Sequence, residues 1–101
     1  MAAYYVLTHT ITDVERYRNE YIPATGRILA KHQGELVAVS LQAEALQGKP
    51  PGAIAIVRFP SEDAVRAFVN DPDYQPLKKI RLEITTNASA LLVPEFKMPG
   101  N

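Results

Sequence analysis

The apolar positions of this chain form continuous strand-like runs and helical stripes, which alternate along the sequence. The run Ala53–Phe59 has the length and β-branched content of a strand buried on both faces. Pro60 ends the run, and Ser61 is a suitable N-cap because its hydroxyl can accept a hydrogen bond from an amide of the first turn. Glu62 then places negative charge at the positive end of the helix dipole. The pattern predicts a central strand that leads directly into a helix.

The N-terminal part repeats this order of strand, cap and helix. Residues Tyr4–Ile11 are rich in aromatic and β-branched side chains, which is typical of a strand. Thr12 and Glu15 have the spacing of a capping box, so the first helix is predicted to begin there and to run to about Gln33.

Three residues shape that first helix. Pro23 has no amide hydrogen to donate, so it should kink or restart the helix, and Gly26 interrupts it again. A kinked helix leaves room that a straight helix would fill. Gly34 lies where a C-cap glycine is expected.

The remaining segments complete a β-α-β-β-α-β order. The loop before the third strand contains Pro50 and Pro51, which cannot lie in a central strand. Residues 70–73 break the second helix. The other predicted elements are a second strand at Leu36–Gln42, a further helix from about Asp73, a turn at Thr85–Ala88 and a last strand at Ser89–Val93, closed by Pro94.

This order predicts an α+β, ferredoxin-like βαββαβ fold. The sheet should be four-stranded and antiparallel, with the first and third strands in its centre and the helices on one face. At 101 residues the chain is expected to be one domain. We expect that domain to span residues 1–96, with a loose tail at 97–101.

The strands are apolar on both faces, although the helices can bury only one. Ala53–Val57, Leu36–Val39 and Leu91–Val93 do not alternate as a half-exposed sheet should. The simplest cover for the second face is the same face of another copy, which predicts a two-fold homodimer. The alternative is a monomer with an exposed apolar face, which is rare.

Charge and composition exclude several classes of function. Eleven basic and 11 acidic residues balance, whereas nucleic-acid binders normally have a basic excess. The chain has no cysteine, which excludes disulfides and thiolate metal sites. It has no signal-peptide pattern and no membrane-length apolar segment. We expect a cytoplasmic protein without nucleic-acid or membrane partners.

The first helix carries polar-tipped side chains on its core stripe. Tyr17, Tyr21, Thr25 and His32 share the side of the apolar residues on an ideal wheel. One interpretation is a core whose polar tips reach water or backbone groups. The other is a pocket between helix and sheet in which His32 is the candidate acid or base, because histidine is the side-chain type that titrates near neutrality when unperturbed.

Arg81 lies close to the apolar stripe of the last helix, and a guanidinium there needs a partner. Asp13 or Asp71 would supply a structural salt bridge. Otherwise Arg81 would bind a ligand carboxylate or phosphate through a bidentate contact. The hypothetical ligand site consists of Tyr17, Tyr21, His32, Phe68, Tyr74 and Arg81.

No other motif names a reaction. His9 lies in a strand without a visible partner, and we assign it no role. His9 and His32 have no ligand spacing, so no metal site and no cofactor are predicted.

Several short segments resemble the DUF1330 family of the dimeric α/β-barrel superfamily. They are Tyr4, Thr12-Asp13 with Tyr17, Gly34, Leu46-x-Gly48, Phe59-Pro60-Ser61, Ala64, Asp71-Pro72-Asp73-Tyr74-Gln75 and Arg81. The resemblance implies a ferredoxin-like subunit and a dimer whose two sheets face each other. The chain departs from the family pattern at Gln33, Gln47, Arg58 and Phe68, where the family commonly has Gly, Glu, an acid and Trp.

Two functions remain open at this point. The first is a protein that binds a small anionic or aromatic ligand between helices and sheet, with acid/base or cofactor-independent oxygenase-like chemistry. Related dimeric barrels include such monooxygenases, lactone isomerases and haem-degrading proteins, so the fold alone decides little. The alternative is a non-catalytic dimeric module with a filled core. A cavity would distinguish them.

Overall fold

The computed structural model describes residues 1–50 and 52–99, and the strands in it form one antiparallel sheet in the order β2-β3-β1-β4. The strands are β1 Ala3–Ile11, β2 Glu35–Ser40, β3 Ala53–Phe59 and β4 Thr85–Pro94. The first and third strands lie in the centre, as predicted. Residues 97–99 of the predicted tail carry no helix or strand, and Pro51, Gly100 and Asn101 lie outside the described residues.

The helices cover one face of this sheet. They are α1 Val14–Arg16, a π-helical turn Tyr17–Tyr21, α2 Ile22–Lys31, α3 Glu62–Val69 and α4 Gln75–Glu83. Along β1 every second side chain, from Ala3 to His9, is buried beneath them. The α+β, ferredoxin-like architecture is therefore confirmed. Within residues 1–50 and 52–99, no helix is long and apolar enough to cross a membrane.

The first helix is interrupted where Pro23 predicts an interruption. Pro23 cannot donate a hydrogen bond, and just before it the amide of Ile22 donates to the Tyr17 carbonyl, five residues back. The predicted Thr12 cap is wrong. Asp13 caps the helix by accepting from the Arg16 amide at 3.1 Å, and the Thr12 amide donates instead to the Ile84 carbonyl at 2.8 Å.

The end of α2 has the geometry of a Schellman motif. The amide of Gly34 donates to the Leu29 carbonyl at 2.8 Å, and the left-handed residue is Gln33, with φ of 61°. The C-cap role predicted for Gly34 therefore falls to Gln33. Gly34 is needed for packing, because a Cβ there would lie 2.9 Å from a ring carbon of Phe59.

The second half of the chain follows the prediction more closely. Ser61 caps α3 by accepting from the Ala64 amide at 3.1 Å, as predicted. The predicted turn at Thr85–Ala88 is wrong, because β4 begins at Thr85. Thr8 and Thr10 of β1 pair with Ser89 and Thr86, so two residues of β4 stand opposite His9. This bulge, in which Asn87 has φ of 54°, places a turn-like sequence inside the strand.

The second face of the sheet is uncovered in the single chain. Its central row crosses all four strands through Ala38, Ile56, Val6 and Leu91, which are register neighbours. Leu91 is 52% exposed. The strands are thus apolar on both faces, as the sequence indicates.

Candidate functional site

A cavity of about 350 Å³ lies between α2 and the sheet. Its lining is mostly apolar and includes Leu7, Ala55 and Phe68. Gly26 borders the cavity, and nothing lies within 4 Å of the position that its Cβ would occupy. The space between helices and sheet is therefore not completely filled.

Tyr17 and Tyr21 form one wall of this cavity, and both belong to the π-helical turn. Their ring centroids are 5.1 Å apart. The Tyr17 hydroxyl lies 3.0 Å from Nε2 of His9, and the Tyr21 hydroxyl lies 2.7 Å from that of Tyr74. Each wall tyrosine is therefore hydrogen-bonded to another buried side chain.

Arg81 is the charged group of this buried cluster. It is 5% exposed, its Nε has no hydrogen-bond partner, and Tyr74 is the neighbouring side chain that acts most strongly on its charge. Among residues 1–50 and 52–99, no acidic side chain forms an ion pair with it. Asp13 caps α1 and Asp71 binds Lys31 and His32, so neither gives the structural salt bridge considered above.

The tyrosines around Arg81 carry no compensating charge at neutral pH. Burial first, and then the neighbouring Tyr74, raise the pKa of Tyr17 to about 12 and hold that of Tyr21 well above its usual value. Burial alone lowers the pKa of Arg81, but the oxygens of Tyr74, Tyr21 and Tyr5 outweigh it, and the net direction is upward. Arg81 is therefore a cation surrounded by neutral hydroxyl groups.

His9 is the residue that the sequence analysis missed. It is 1% exposed, and its Nδ1 has no partner. Burial first, and Arg81 second, lower the pKa of His9 to about 4, so the ring is neutral at pH 7. The alternation of side chains along β1 could have indicated His9. It lies on the same face of the strand as Tyr5 and Leu7, which point toward the helices.

His32 lies apart from the cavity lining. Its Nε2 lies 2.6 Å from Oδ2 of Asp71, and the same oxygen accepts from Nζ of Lys31 at 2.9 Å. Lys31, His32 and the Asp73 amide hold the pKa of Asp71 well below its usual range. This cluster ties the end of α2 to the turn before α4. His32, the predicted acid/base candidate, therefore takes part in a contact between the end of α2 and the turn before α4.

The other predicted site residues form two layers. Tyr17, Tyr21 and Phe68 border the cavity. Tyr74 packs against Phe68 at a centroid distance of 4.6 Å and, with Arg81, lies behind the wall. Among the described residues, no group of three or more His, Asp or Glu side chains is arranged to hold a metal ion.

Comparisons with known proteins identify the family and the fold. The model of DUF1330, a domain of unknown function, matches residues 2–96. No curated protein sequence matches. A protein of unknown function from Rhodopseudomonas palustris, RPA0582, is 16% identical at a TM-score of 0.76, covering 96% of this chain and 84% of its own.

Two further solved structures share the fold. SnoaB, a cofactor-independent oxygenase from Streptomyces nogalater, is 16% identical at a TM-score of 0.69, with coverage of 99% of this chain and 98% of its own. A dimeric protein of unknown function with a ferredoxin-like fold, from Bacteroides fragilis, is 15% identical at a TM-score of 0.62, with coverage of 93% and 96%. At these low identities the TM-scores show a common fold and nothing more.

Proposed function

This chain belongs to the DUF1330 family, and we propose that it is a homodimeric protein that binds a small organic anion with an aromatic or apolar body. One observation carries the proposal. Arg81 is buried without an acidic partner among the described residues, directly behind the tyrosine wall of an apolar cavity.

The charge of Arg81 explains why an anion is the expected ligand. Removing a lone guanidinium from water costs several kcal/mol, and the tyrosine hydroxyls beside it carry no negative charge to pair with it at neutral pH. A carboxylate bound at the wall, through Tyr21, would supply the missing negative charge. The apolar lining around Phe68 and Leu7 suits the body of the ligand.

The proposal also includes catalysis. Acid/base or cofactor-independent oxygenase-like chemistry is supported by the likeness of the fold to SnoaB and by the histidine bonded to the wall. The alternative of a non-catalytic module with a filled core is opposed by the cavity. A module that binds a ligand without reaction is the remaining alternative.

The proposed dimer joins the uncovered sheet faces of two copies. The apolar row through Ile56 and Val6 extends to both edge strands, and burial of such a surface favours association. The Bacteroides fragilis protein of the same fold is described as dimeric, which supports association of two copies. From the balanced charge we also propose that the protein has no nucleic-acid partner, and we propose a cytoplasmic location.

A pair of matched ligands tests the binding proposal. Phenylacetate and its neutral isostere phenylacetamide are titrated into the protein, and the melting temperature is followed. A ligand at about 100 times its Kd adds about 2.7 kcal/mol to the free energy of unfolding, and each kcal/mol raises the Tm by about 4–8 °C. We expect phenylacetate to raise the Tm and the amide to do so much less.

The variant Gly26→Leu controls for the location of binding. It adds a side chain on the cavity wall, where a Cβ meets no atom within 4 Å, and replaces a poor helix former. We expect it to fold and to lose the phenylacetate shift. Equal shifts with both ligands, or a full shift in Gly26→Leu, would contradict the proposal.

A further inference from the structure

The buried polar network behind the cavity has two branches. The first is the hydrogen bond between Tyr17 and His9, and the second is the hydrogen bond between Tyr21 and Tyr74, whose oxygens act electrostatically on Arg81. Both begin on the wall, because Tyr17 and Tyr21 border the cavity. A ligand at this wall would therefore contact Tyr17, which is hydrogen-bonded to the neutral imidazole of His9. It would also contact Tyr21, which is hydrogen-bonded to Tyr74 near the positive charge of Arg81.

The geometry of the first branch suits the movement of a proton. His9 uses Nε2 for Tyr17 and has no partner at Nδ1. A neutral imidazole carries one hydrogen and one acceptor nitrogen. With the hydrogen on Nδ1, Nε2 accepts from the Tyr17 hydroxyl, and the Tyr17 oxygen retains lone pairs that can accept a proton from a ligand.

We infer that Tyr17 and His9 form a proton-transfer pair that interconverts the keto and enol forms of an aromatic 2-oxo acid bound in the cavity. This inference rests on the proposed function, since it needs an anionic ligand at the tyrosine wall. The carboxylate faces the Arg81 branch, the aromatic ring lies in the apolar cavity, and the acidic carbon next to the carbonyl group lies at Tyr17.

The step balances without an oxidant or a co-reactant. The C–H bond beside the carbonyl breaks, its proton passes to the Tyr17 oxygen, and the proton of Tyr17 passes to Nε2 of His9. The electron pair of the C–H bond forms a C=C bond, and the π pair of the carbonyl group moves to its oxygen and gives an enolate. Return of the proton to that oxygen through the same pair yields the enol and restores His9.

Charge within the site supports this order of events. Burial first, and the repulsion of Arg81 second, disfavour a protonated His9 in the empty protein. An enolate formed in the same step adds a negative charge as His9 gains a positive one, so the net charge of the site does not change. The carboxylate and the enolate then face two cations, Arg81 and protonated His9.

Deuterium uptake into phenylpyruvate is the measurement. The protein is incubated with phenylpyruvate in D2O, and NMR follows exchange of the C3 hydrogens against a buffer blank. Binding is measured separately by the shift in Tm. We expect the wild type to bind phenylpyruvate and to accelerate exchange.

Two variants remove the proton path without removing the cavity. His9→Gln keeps a hydrogen-bonding group beside Tyr17 but cannot take up a proton, and Tyr17→Phe keeps the ring but removes the hydroxyl. We expect both to retain the binding shift and to lose exchange by about 100-fold or more. His32→Gln removes the other imidazole, outside the cavity lining, and should retain exchange. If His9→Gln fails to fold, Tyr17→Phe decides.

The two readouts separate the inference from the proposed function. Binding of phenylpyruvate without accelerated exchange overturns the proton-transfer pair and leaves the binding proposal intact. Full exchange in His9→Gln or Tyr17→Phe also overturns the pair. Absence of any binding overturns the proposed function for this ligand class, and the inference with it.

Discussion

The hydroxyl oxygens of Tyr21 and Tyr74 lie 2.7 Å apart, although 53 residues separate them in the sequence. Tyr21 belongs to the wall of the cavity, and Tyr74 acts electrostatically on the buried guanidinium of Arg81. This contact links the cavity to the buried cation. It also joins the first helical region to the start of α4.

A double-mutant cycle measures this link. Tyr21→Phe and Tyr74→Phe each leave a buried hydroxyl without its partner, so each should lower the free energy of unfolding by about 1–3 kcal/mol. The double variant leaves no hydroxyl without its partner. Its loss in the free energy of unfolding should therefore be smaller than the sum of the two single losses, with a coupling energy of about 0.5–3 kcal/mol. Urea unfolding of the four proteins gives the values. Additive losses would mean that the two hydroxyls do not interact.

Stability of the ligand-free protein should fall as the pH drops from about 6.5 to about 4. The pKa of His9 is lowered from its usual 6.5 to about 4 in the folded protein, by burial and by Arg81. The unfolded chain therefore takes up the proton first, and the folded state loses about 2 kcal/mol across this window. Tyr17 and Arg81 are the ionisable groups that face the ring.

His9→Gln provides the comparison for this pH effect. The variant has no imidazole at position 9, so its loss of stability between pH 7 and pH 4.5 should be smaller than that of the wild type. The contribution of Asp71 is common to both proteins and cancels in the difference. Urea unfolding at the two pH values measures it, and parallel losses would contradict a buried neutral His9.

A lysine on the uncovered sheet face should disrupt the proposed dimer. Ile56 lies in the central apolar row, so Ile56→Lys places a charge in the middle of the interface. Light scattering at micromolar concentration should show a dimer for the wild type and a monomer for the variant. Arg58→Lys keeps the charge on the same face and should remain dimeric.

Ala55→Lys tests the assignment of the two faces. Ala55 lies between Ile54 and Ile56 but borders the cavity on the helix side. A lysine there should destabilise the fold rather than separate two folded copies. A wild type that is a stable monomer would contradict the dimer directly.

The fold was largely predictable from the sequence because its signals are local. The bounds of β3 and the Ser61 cap follow from adjacent residues, and the structure agrees with both. The first cap and the start of β4 were mispredicted for local reasons as well. Asp13 competes with Thr12 for the cap, and a bulge at Asn87 has the sequence of a turn.

The site was less predictable because partners distant in sequence decide it. The helical stripe indicated Tyr17 and Tyr21, yet His32 points to Asp71, 39 residues away, which no pattern in α2 indicates. His9 becomes visible only once β1 is seen to place it against Tyr17. The absence of an acid beside Arg81 is a tertiary property of the described residues.

Replacement of Arg81 by methionine tests the central claim most directly, with Arg66→Met as the control at an exposed arginine. The free energy of unfolding and the affinity for phenylacetate are measured for each protein. If Arg81 is a buried cation whose charge is paired only when an anionic ligand is bound, its removal relieves an unpaired charge in the ligand-free protein. Arg81→Met should then be as stable as the wild type, or more stable by about 1–4 kcal/mol. It should bind phenylacetate at least about tenfold more weakly, which corresponds to 1.4 kcal/mol or more. Arg66→Met should change neither value appreciably. A loss of about 3–5 kcal/mol in the stability of Arg81→Met, with unchanged affinity for phenylacetate, would mean that Arg81 has a structural partner and would contradict the account.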